Sequence, residues 1–160
     1  MNKISIIMGS DSDLAVVNEA INLLRKFKAK FEVRILSAHR TPKELEAYVE
    51  RAGKKGIKVF IAAAGGAAAL AGVIASHTTL PVIGIPMETR SLKGLDSLFS
   101  IVQMPAGIPV ACMAIGKAGA KNAAIFALEI LAASDKKIEA QLTRYKKDMR
   151  VKIKNTKVKL

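Results

Sequence analysis

Two short polar segments of the sequence carry side chains that could hold a phosphate and move a proton. Residues 9–13 read Gly-Ser-Asp-Ser-Asp. Gly9 permits a tight turn, and Ser10 can cap a following helix with Asp13 at its third position. Free amides and the hydroxyls of Ser10 and Ser12 suit a phosphate, while the Asp13 carboxylate can accept hydrogen bonds from ribose hydroxyls. Helix capping alone would also explain these residue types, so both interpretations stay open.

The second segment, residues 37–42, reads Ser-Ala-His-Arg-Thr-Pro. Thr41, the proline after it and Glu44 predict a helix start with an N-cap, a first-position proline and a capping-box glutamate. His39 and Arg40 would then lie just outside that helix. A guanidinium binds phosphate through two parallel hydrogen bonds, and a histidine exchanges its proton near neutral pH. We interpret His39 as a proton-transfer group, with a structural histidine as the alternative.

A third segment is built almost entirely of small residues. Residues 64–72 read Ala-Gly-Gly-Ala-Ala-Ala-Leu-Ala-Gly and open a predicted helix. Small side chains let a ligand approach the backbone closely, and a helix N-terminus favours an anion. Close helix packing is an equally good explanation. His77, at the far end of this helix, is interpreted as a helix-end or surface histidine.

The three segments follow predicted strands, which indicates that they meet at one edge of a sheet. Apolar runs alternate with Ala- and Leu-rich segments of helical length, as in βαβ units. This alternation predicts an α/β fold with a five-stranded parallel sheet and helices on both faces. Ligands bind such sheets at the carboxyl ends of the strands. The predicted strands are residues 3–8, 31–36, 57–63, 81–85 and 108–114, and the predicted helices are residues 11–27, 41–54, 67–77 and 117–133.

A last amphipathic helix is predicted from Ser134, its N-cap, with apolar residues at steps of three and four. This helix could pack on another subunit or on its own domain, and the sequence favours neither. We expect one unit, in which residues 1–133 form a catalytic α/β domain and residues 134–160 form the helix and a basic tail. The connection across residues 86–107 is long, and its apolar residues predict a partly helical, buried segment that serves as an interface or a lid.

Charge and composition limit the possible partners and compartment. The net charge is +13, of which the ten Lys/Arg and three Asp/Glu of residues 134–160 contribute +7. Aromatic residues make up only 4% of the chain, so a solvated basic tail is favoured over RNA or other polyanion binding. The sequence shows no signal peptide or membrane span, and its one cysteine, Cys112, predicts a core thiol in a reducing compartment. We expect a cytoplasmic protein with neither a membrane nor a nucleic-acid partner.

Other kinds of active site find little support. The sequence has one cysteine, two histidines, no Walker A motif and no Gly-x-Ser-x-Gly elbow. A metal site would have to rest on carboxylates, and we assign none.

Together the motifs resemble those of the class I PurE family, the N5-carboxyaminoimidazole ribonucleotide mutases of purine biosynthesis. The resemblance covers residues 4–133 and includes, besides the three loops, Leu-Pro-Val-Ile-Gly-Ile-Pro from position 80, Gly-Leu-Asp-Ser-Leu from 94 and Ser-Ile-Val-Gln-Met-Pro from 100. It implies a flavodoxin-like three-layer αβα fold with strand order 2-1-3-4-5, assembled as a homo-octamer. The implied enzyme is an isomerase that moves a carboxylate from the exocyclic nitrogen of an aminoimidazole ribonucleotide to ring carbon C4, with no metal or organic cofactor.

The resemblance also implies roles for individual residues. His39 matches the proton-transfer histidine of the family. The phosphate would be held by the serines of the first loop and Arg40, the ribose by Asp13, and the base or carboxylate end by Ser37 and the glycine pair. In the implied reaction the carbamate loses CO2, which stays confined until C4 attacks it, and His39 takes the C4 proton. The implied substrate-binding residues are Ser10, Ser12, Asp13, Ser37, Arg40, Gly65, Gly66, Ala67, Ala69 and Leu70.

One position departs from the family pattern. Where the family reads Gly-Gly-Ala-Ala-His-Leu, this sequence has Ala69 in place of the histidine. The missing imidazole removes a hydrogen-bond donor near the carboxylate. An impaired or inactive ribonucleotide-binding variant is therefore the alternative function. A direct carboxylase, which would use CO2 and the unmodified ribonucleotide, ranks below the mutase.

Overall fold

The chain forms a five-stranded parallel sheet with strand order β2-β1-β3-β4-β5. The structure is a computed structural model and describes residues 3–157. The strands are β1 (Lys3–Met8), β2 (Lys30–Ile35), β3 (Ile57–Ala64), β4 (Val82–Pro86) and β5 (Ala111–Cys112). The helices are α1 (Leu14–Lys26), α2 (Pro42–Ala52), α3 (Leu70–Ser76), α4 (Leu95–Val102), α5 (Gly116–Ala132) and α6 (Lys136–Asn155), with 3-10 turns at Asp11–Asp13 and Gly53–Lys55.

Helices cover both faces of the sheet, which gives three layers. One apolar core lies between the sheet and α1, α5 and α6, and the other lies between the sheet and α2, α3 and α4. Neighbouring strand residues point to opposite cores, so that Ile6 belongs to the first and Ile7 to the second. Both side chains are fully buried. The predicted α/β class, strand order and C-terminal helix are confirmed.

The last strand is much shorter than predicted. Pairing between β4 and β5 joins only Ile83 to Ala111 and Gly84 to Cys112, whereas the sequence predicted a strand over residues 108–114. Pro109 has no amide hydrogen to donate to a ladder, which explains why pairing begins after it. Cys112 is half-buried and packs against the second core, and burial raises the pKa of its thiol.

The long connection after β4 contains α4 and is only partly buried. Ile101 is 1% exposed and faces the second core. Leu92, Leu95, Phe99 and Val102 are instead between 46% and 60% exposed. The helix is thus confirmed, but the prediction that this segment is buried holds for one side of it only. One side of α4 faces the sheet, and the opposite side lies open in the single chain.

The C-terminal helix packs on its own domain along its first half. Leu142 is buried against α5, and the rings of Tyr145 and Phe27 meet edge to face at 5.5 Å. The predicted N-cap is wrong by one residue. The Asp135 carboxylate accepts hydrogen bonds from two amides of the first turn, whereas Ser134 donates its hydroxyl back to Leu131. Residues 158–160 of the predicted basic tail lie outside the described residues.

Across residues 3–157, every helix is either too short or too polar to span a lipid bilayer.

Candidate active site

A cleft of about 440 Å³ lies at the carboxyl edge of the sheet, where the loops after β1, β2 and β3 meet. It brings together most of the predicted site residues. Gly66 and Ala67 are the two that do not line it, while Gly9 and three alanines that were not predicted to bind substrate do. The lining consists of Gly9, Ser10, Ser12, Asp13, Ser37, Ala38, His39, Arg40, Ala64, Gly65, Ala68, Ala69 and Leu70.

Ser10 organises the first loop. Its Oγ accepts a hydrogen bond from the Ser12 amide at 3.3 Å and lies 3.0 Å from the Ser12 hydroxyl, which donates to it. The capping role predicted for Ser10 is confirmed, although the turn that it caps is a 3-10 turn leading into α1. The two hydroxyls therefore stand side by side at the cleft, as a phosphate requires.

Asp13 is the one carboxylate that lines the cleft. Burial raises the pKa of its side chain above the ordinary value of 3.8. Hydrogen bonding to the Ser10 backbone and the Ser12 side chain, together with the positive charge of Arg40, opposes that rise. A single half-buried carboxylate beside an arginine suits hydrogen bonding to hydroxyl groups better than chelation of a cation.

The second loop is closed by Thr41 in a way that the sequence did not predict. The Thr41 hydroxyl accepts from the Ser37 amide at 2.8 Å and donates to the Ser37 carbonyl oxygen at 3.1 Å. It makes no capping hydrogen bond to the first turn of α2, although Pro42 is the first helical residue as predicted. The predicted capping box also fails, because the Thr41 amide donates to the Ser37 carbonyl oxygen and leaves nothing for Glu44 to accept.

Arg40 and His39 project from this loop at the cleft. The Arg40 amide donates to Ser37 Oγ at 3.1 Å, and its guanidinium Nη2 donates to the Gly9 carbonyl oxygen at 3.1 Å. These contacts fix the arginine between the first two loops while it stays exposed. Within residues 3–157 the exposed His39 has no hydrogen-bond partner, so its imidazole is available to a ligand.

Ser97 of α4 holds the third loop. Its fully buried Oγ accepts from the Gly66 amide at 3.0 Å and donates to the Met87 carbonyl oxygen at 2.7 Å. Gly66 has φ +67, a left-handed conformation that favours glycine. No site role was predicted for Ser97 from the sequence. The one signal it offered was a polar residue in the buried stripe of an otherwise apolar helix.

The helix of the third segment starts later than predicted, whereas its C-terminal end agrees with the prediction. The helix begins at Leu70, and Ala69 is its N-cap, so the residues before it form an irregular loop at the cleft. His77 is the C-cap of α3 and is partly exposed, which confirms its interpretation as a helix-end histidine. It does not line the cleft.

The cleft combines groups for three tasks. Two hydroxyls and a guanidinium suit an anionic phosphate, a carboxylate suits sugar hydroxyls, and an unpaired imidazole can move a proton. Small residues of the third loop leave room for a planar group beside that imidazole. The arrangement can therefore bind a ligand that carries both a phosphate and hydroxyl groups, and move a proton on it.

Comparisons with known proteins agree with this interpretation. The family model described as AIR carboxylase matches residues 3–152. A protein of Pyrococcus abyssi named N5-carboxyaminoimidazole ribonucleotide mutase is 53% identical over 150 residues, which cover 94% of this chain and 85% of that protein. A protein of Saccharolobus solfataricus with the same name is 48% identical over 158 residues, which cover 99% of both chains. The crystal structure of Treponema denticola PurE superposes with a TM-score of 0.86 at 28% identity, covering 96% of this chain and 94% of that one.

Proposed function

The chain belongs to the AIR carboxylase family, and from that premise we propose that it is an N5-carboxyaminoimidazole ribonucleotide mutase. It is an isomerase of purine biosynthesis, which converts N5-carboxyaminoimidazole ribonucleotide to 4-carboxy-5-aminoimidazole ribonucleotide. Relatives that carry the mutase name match over 94% or more of the chain at about half identity. The observation that carries the proposal is that His39 lies in the same cleft as side chains suited to bind a phosphate and a ribose.

The reaction can be written with all atoms accounted for. The bond between the exocyclic nitrogen and the carboxyl carbon breaks, which leaves CO2 and the aminoimidazole. Carbon C4 then attacks the CO2 carbon, and the C4 proton moves to His39 as the ring regains its aromaticity. The nitrogen that loses the carboxylate takes one proton from protonated His39 as the first bond breaks, and the C4 proton then restores that proton to His39, so that the net reaction moves one proton from C4 to the nitrogen. Holding CO2 against C4 gives it a high effective concentration, and excluding water keeps it from escaping.

The geometry supports a distribution of roles among the other residues. Ser10, Ser12 and Arg40 hold the phosphate, because their donors lie side by side in the two loops. Asp13 accepts hydrogen bonds from the ribose hydroxyls. Ser37 and the backbone of the third loop bind the base and carboxylate end, with Ser97 keeping that loop in place. No organic cofactor or metal takes part in these steps.

Two other functions remain as outcomes of the test. A direct carboxylase would require added bicarbonate and the unmodified ribonucleotide, but the curated relatives near half identity carry the mutase name. A ribonucleotide-binding protein with little activity is suggested by Ala69, which places a methyl group at the cleft where the family has an imidazole. Tight binding without turnover would favour that second function.

We further propose how the enzyme is organised. Residues 1–133 form the catalytic domain, and residues 134–160 belong to the same unit, as the packing of α6 on α5 supports. The exposed apolar side of α4 supports assembly into a homo-octamer, since a patch of this kind is usually covered by a partner. The enzyme works in the cytoplasm on a small-molecule ribonucleotide, with no nucleic-acid partner.

The test replaces His39 with Asn, which has a similar polar shape but accepts no proton at neutral pH. Isomerisation of the carbamate substrate is followed spectroscopically without added bicarbonate. We expect kcat to fall by about 100-fold or more, the usual contribution of a positioned acid or base, with KM little changed. Near-native turnover by a folded variant would remove His39 from the mechanism. Turnover by the unaltered enzyme only on supplying bicarbonate would show a carboxylase instead.

A further inference from the structure

Three potential metal ligands come together at the edge of the sheet opposite the active-site cleft. Glu46 and Glu50 lie one turn apart on α2, and His77 ends the neighbouring α3. One donor atom from each lies within 4.8 Å of the other two. His77 Nδ1 lies 3.9 Å from Glu46 Oε1. All three side chains reach solvent, so an ion can enter without any part of the fold opening.

Within the described part of the chain, the negative charges of Glu46 and Glu50 are not balanced by a lysine or arginine beside them. Two glutamates at i and i+4 on a helix repel each other, because their carboxylates share one face. Glu50 also lies near the end of α2, where the carbonyl groups make the helix dipole negative. Among residues 3–157, neither carboxylate has a lysine or arginine within 4.0 Å, despite the net charge of +13. A cation bound between them would relieve both unfavourable interactions.

The donor types select among cations. Two carboxylates and one imidazole match Zn²⁺, which is commonly held by three protein side chains with water in the fourth position. Mg²⁺ and Ca²⁺ prefer oxygen ligands only. Around a tetrahedral Zn²⁺ with bonds of about 2.0 Å, neighbouring donors lie roughly 3.3 Å apart. The donor atoms lie within 4.8 Å of one another, so each pair needs to approach by at most about 1.5 Å to reach that separation.

Open space adjoins the cluster. A cavity of about 990 Å³ is lined by Glu50 and His77, together with Ser76, Thr78 and Thr79. It leaves room for the water or other ligand that would complete the coordination of an ion. The same cavity is bounded by Pro81 at the start of β4, so it lies at the amino edge of the sheet and is separate from the cleft that holds His39.

We propose that Glu46, Glu50 and His77 form a Zn²⁺ site that ties α2 to α3. The ion joins the far ends of the two helices whose near ends carry the second and third loops of the active site. Its effect is structural, since it links α2 to α3, whose apolar side chains pack in the same core. Zn²⁺ therefore raises the melting temperature of the protein, because it binds the folded state and finds no preformed site in the unfolded chain.

The test titrates the untagged full-length protein with Zn²⁺ by calorimetry and with Co²⁺ by visible absorption. We expect saturation at micromolar metal, one ion per chain, and a rise in melting temperature of about 5 °C in excess Zn²⁺. His77→Gln and Glu50→Gln should each weaken binding by at least tenfold and abolish the thermal shift. Both residues are exposed enough that the metal-free variants should melt like the metal-free parent.

Two matched control variants test whether the ion binds at this cluster. His39→Asn removes the only other histidine, and Glu44→Gln removes a carboxylate from the same helix outside the cluster. Both should retain one Zn²⁺ per chain with unchanged affinity. The proposal is overturned if His77→Gln binds Zn²⁺ like the parent, if His39→Asn loses the ion, or if binding does not saturate below millimolar metal. None of these readouts depends on mutase activity.

Discussion

The Arg40 guanidinium donates a hydrogen bond to the Gly9 carbonyl oxygen over 3.1 Å and thereby joins the loop after β2 to the loop after β1. The two loops are 31 residues apart in sequence. One side chain thus holds the loop of Ser10 and Ser12 in place and, in the proposed function, also offers its positive charge to the phosphate. This double role gives the first prediction.

Replacing Arg40 with Lys should raise KM by about 10- to 100-fold and change kcat less. Lysine keeps the charge but has no planar fork, so it can keep either the contact to Gly9 or a phosphate contact, not both. Losing one charge-assisted hydrogen bond costs about 1.5–3 kcal/mol. Steady-state kinetics with the carbamate substrate would measure the effect. Arg51→Lys, at the exposed far end of α2, is the matched control and should leave KM unchanged; equal KM values for both variants would contradict the phosphate role of Arg40.

Replacing Ala69 with His should increase kcat/KM. The added imidazole restores a hydrogen-bond donor at the cleft, and one such bond to a carboxylate is worth about 1.4 kcal/mol or more, which corresponds to roughly tenfold. The increase is measured on the carbamate substrate without added bicarbonate. Ala140→His adds an imidazole to exposed α6 and should have no effect. Unchanged turnover and affinity in Ala69→His would show that this position does not limit the enzyme.

Replacing Asp13 with Asn should stabilise the protein in a pH-dependent way. Burial raises the pKa of Asp13, so the folded state holds this proton more tightly than the unfolded chain does. The stability that the group contributes in its protonated form is lost as pH rises through the folded-state pKa, above the ordinary value of 3.8. The free energy of unfolding of the variant should therefore exceed that of the parent by more at pH 7 than at pH 4, as measured by denaturant unfolding. A stability gain that is larger at pH 4 than at pH 7 would contradict a raised pKa of Asp13.

Replacing Ser97 with Ala should both destabilise the fold and loosen the third loop. The variant leaves the Gly66 amide and the Met87 carbonyl oxygen without the partner they share, at a cost of about 1–3 kcal/mol. We expect a lower melting temperature together with a higher KM. Ser76→Ala, which removes an exposed hydroxyl bonded only within α3, is the control and should change neither. A loss of stability with KM intact would leave Ser97 with a purely structural role.

Local patterns in the sequence were enough to predict the parallel sheet and the meeting of the loops, whereas the strand order was predicted from the family resemblance. Apolar strand runs that alternate with helices determine a parallel sheet, and a parallel sheet brings the segments around Ser10 and His39 to one edge whatever the details of packing. The first residue of α6 was harder to predict from the sequence. Ser134 and Asp135 are both good N-caps, and only the folded chain shows that the Asp135 carboxylate reaches the free amides.

Contacts that no residue pattern encodes, some within a loop and some between distant parts of the chain, account for what the sequence did not reveal. Thr41 has the composition of a cap, but its hydroxyl is already used by Ser37 across the loop. Ser97 meets Gly66 across 31 residues, and no local pattern encodes such a pair. The grouping of His77 with Glu46 likewise depends on how two helices lie beside each other. A histidine at a helix end gives no sign of this by itself.

Cys112 provides the chain with a natural reporter. It is the only thiol in the sequence, it lies half-buried on a strand of two residues, and burial raises its pKa. Alkylating reagents attack the thiolate, so they react slowly while the strand is in place and faster when it detaches. The rate of modification therefore measures how often the β5 edge frays, at a single known position and without any engineered label.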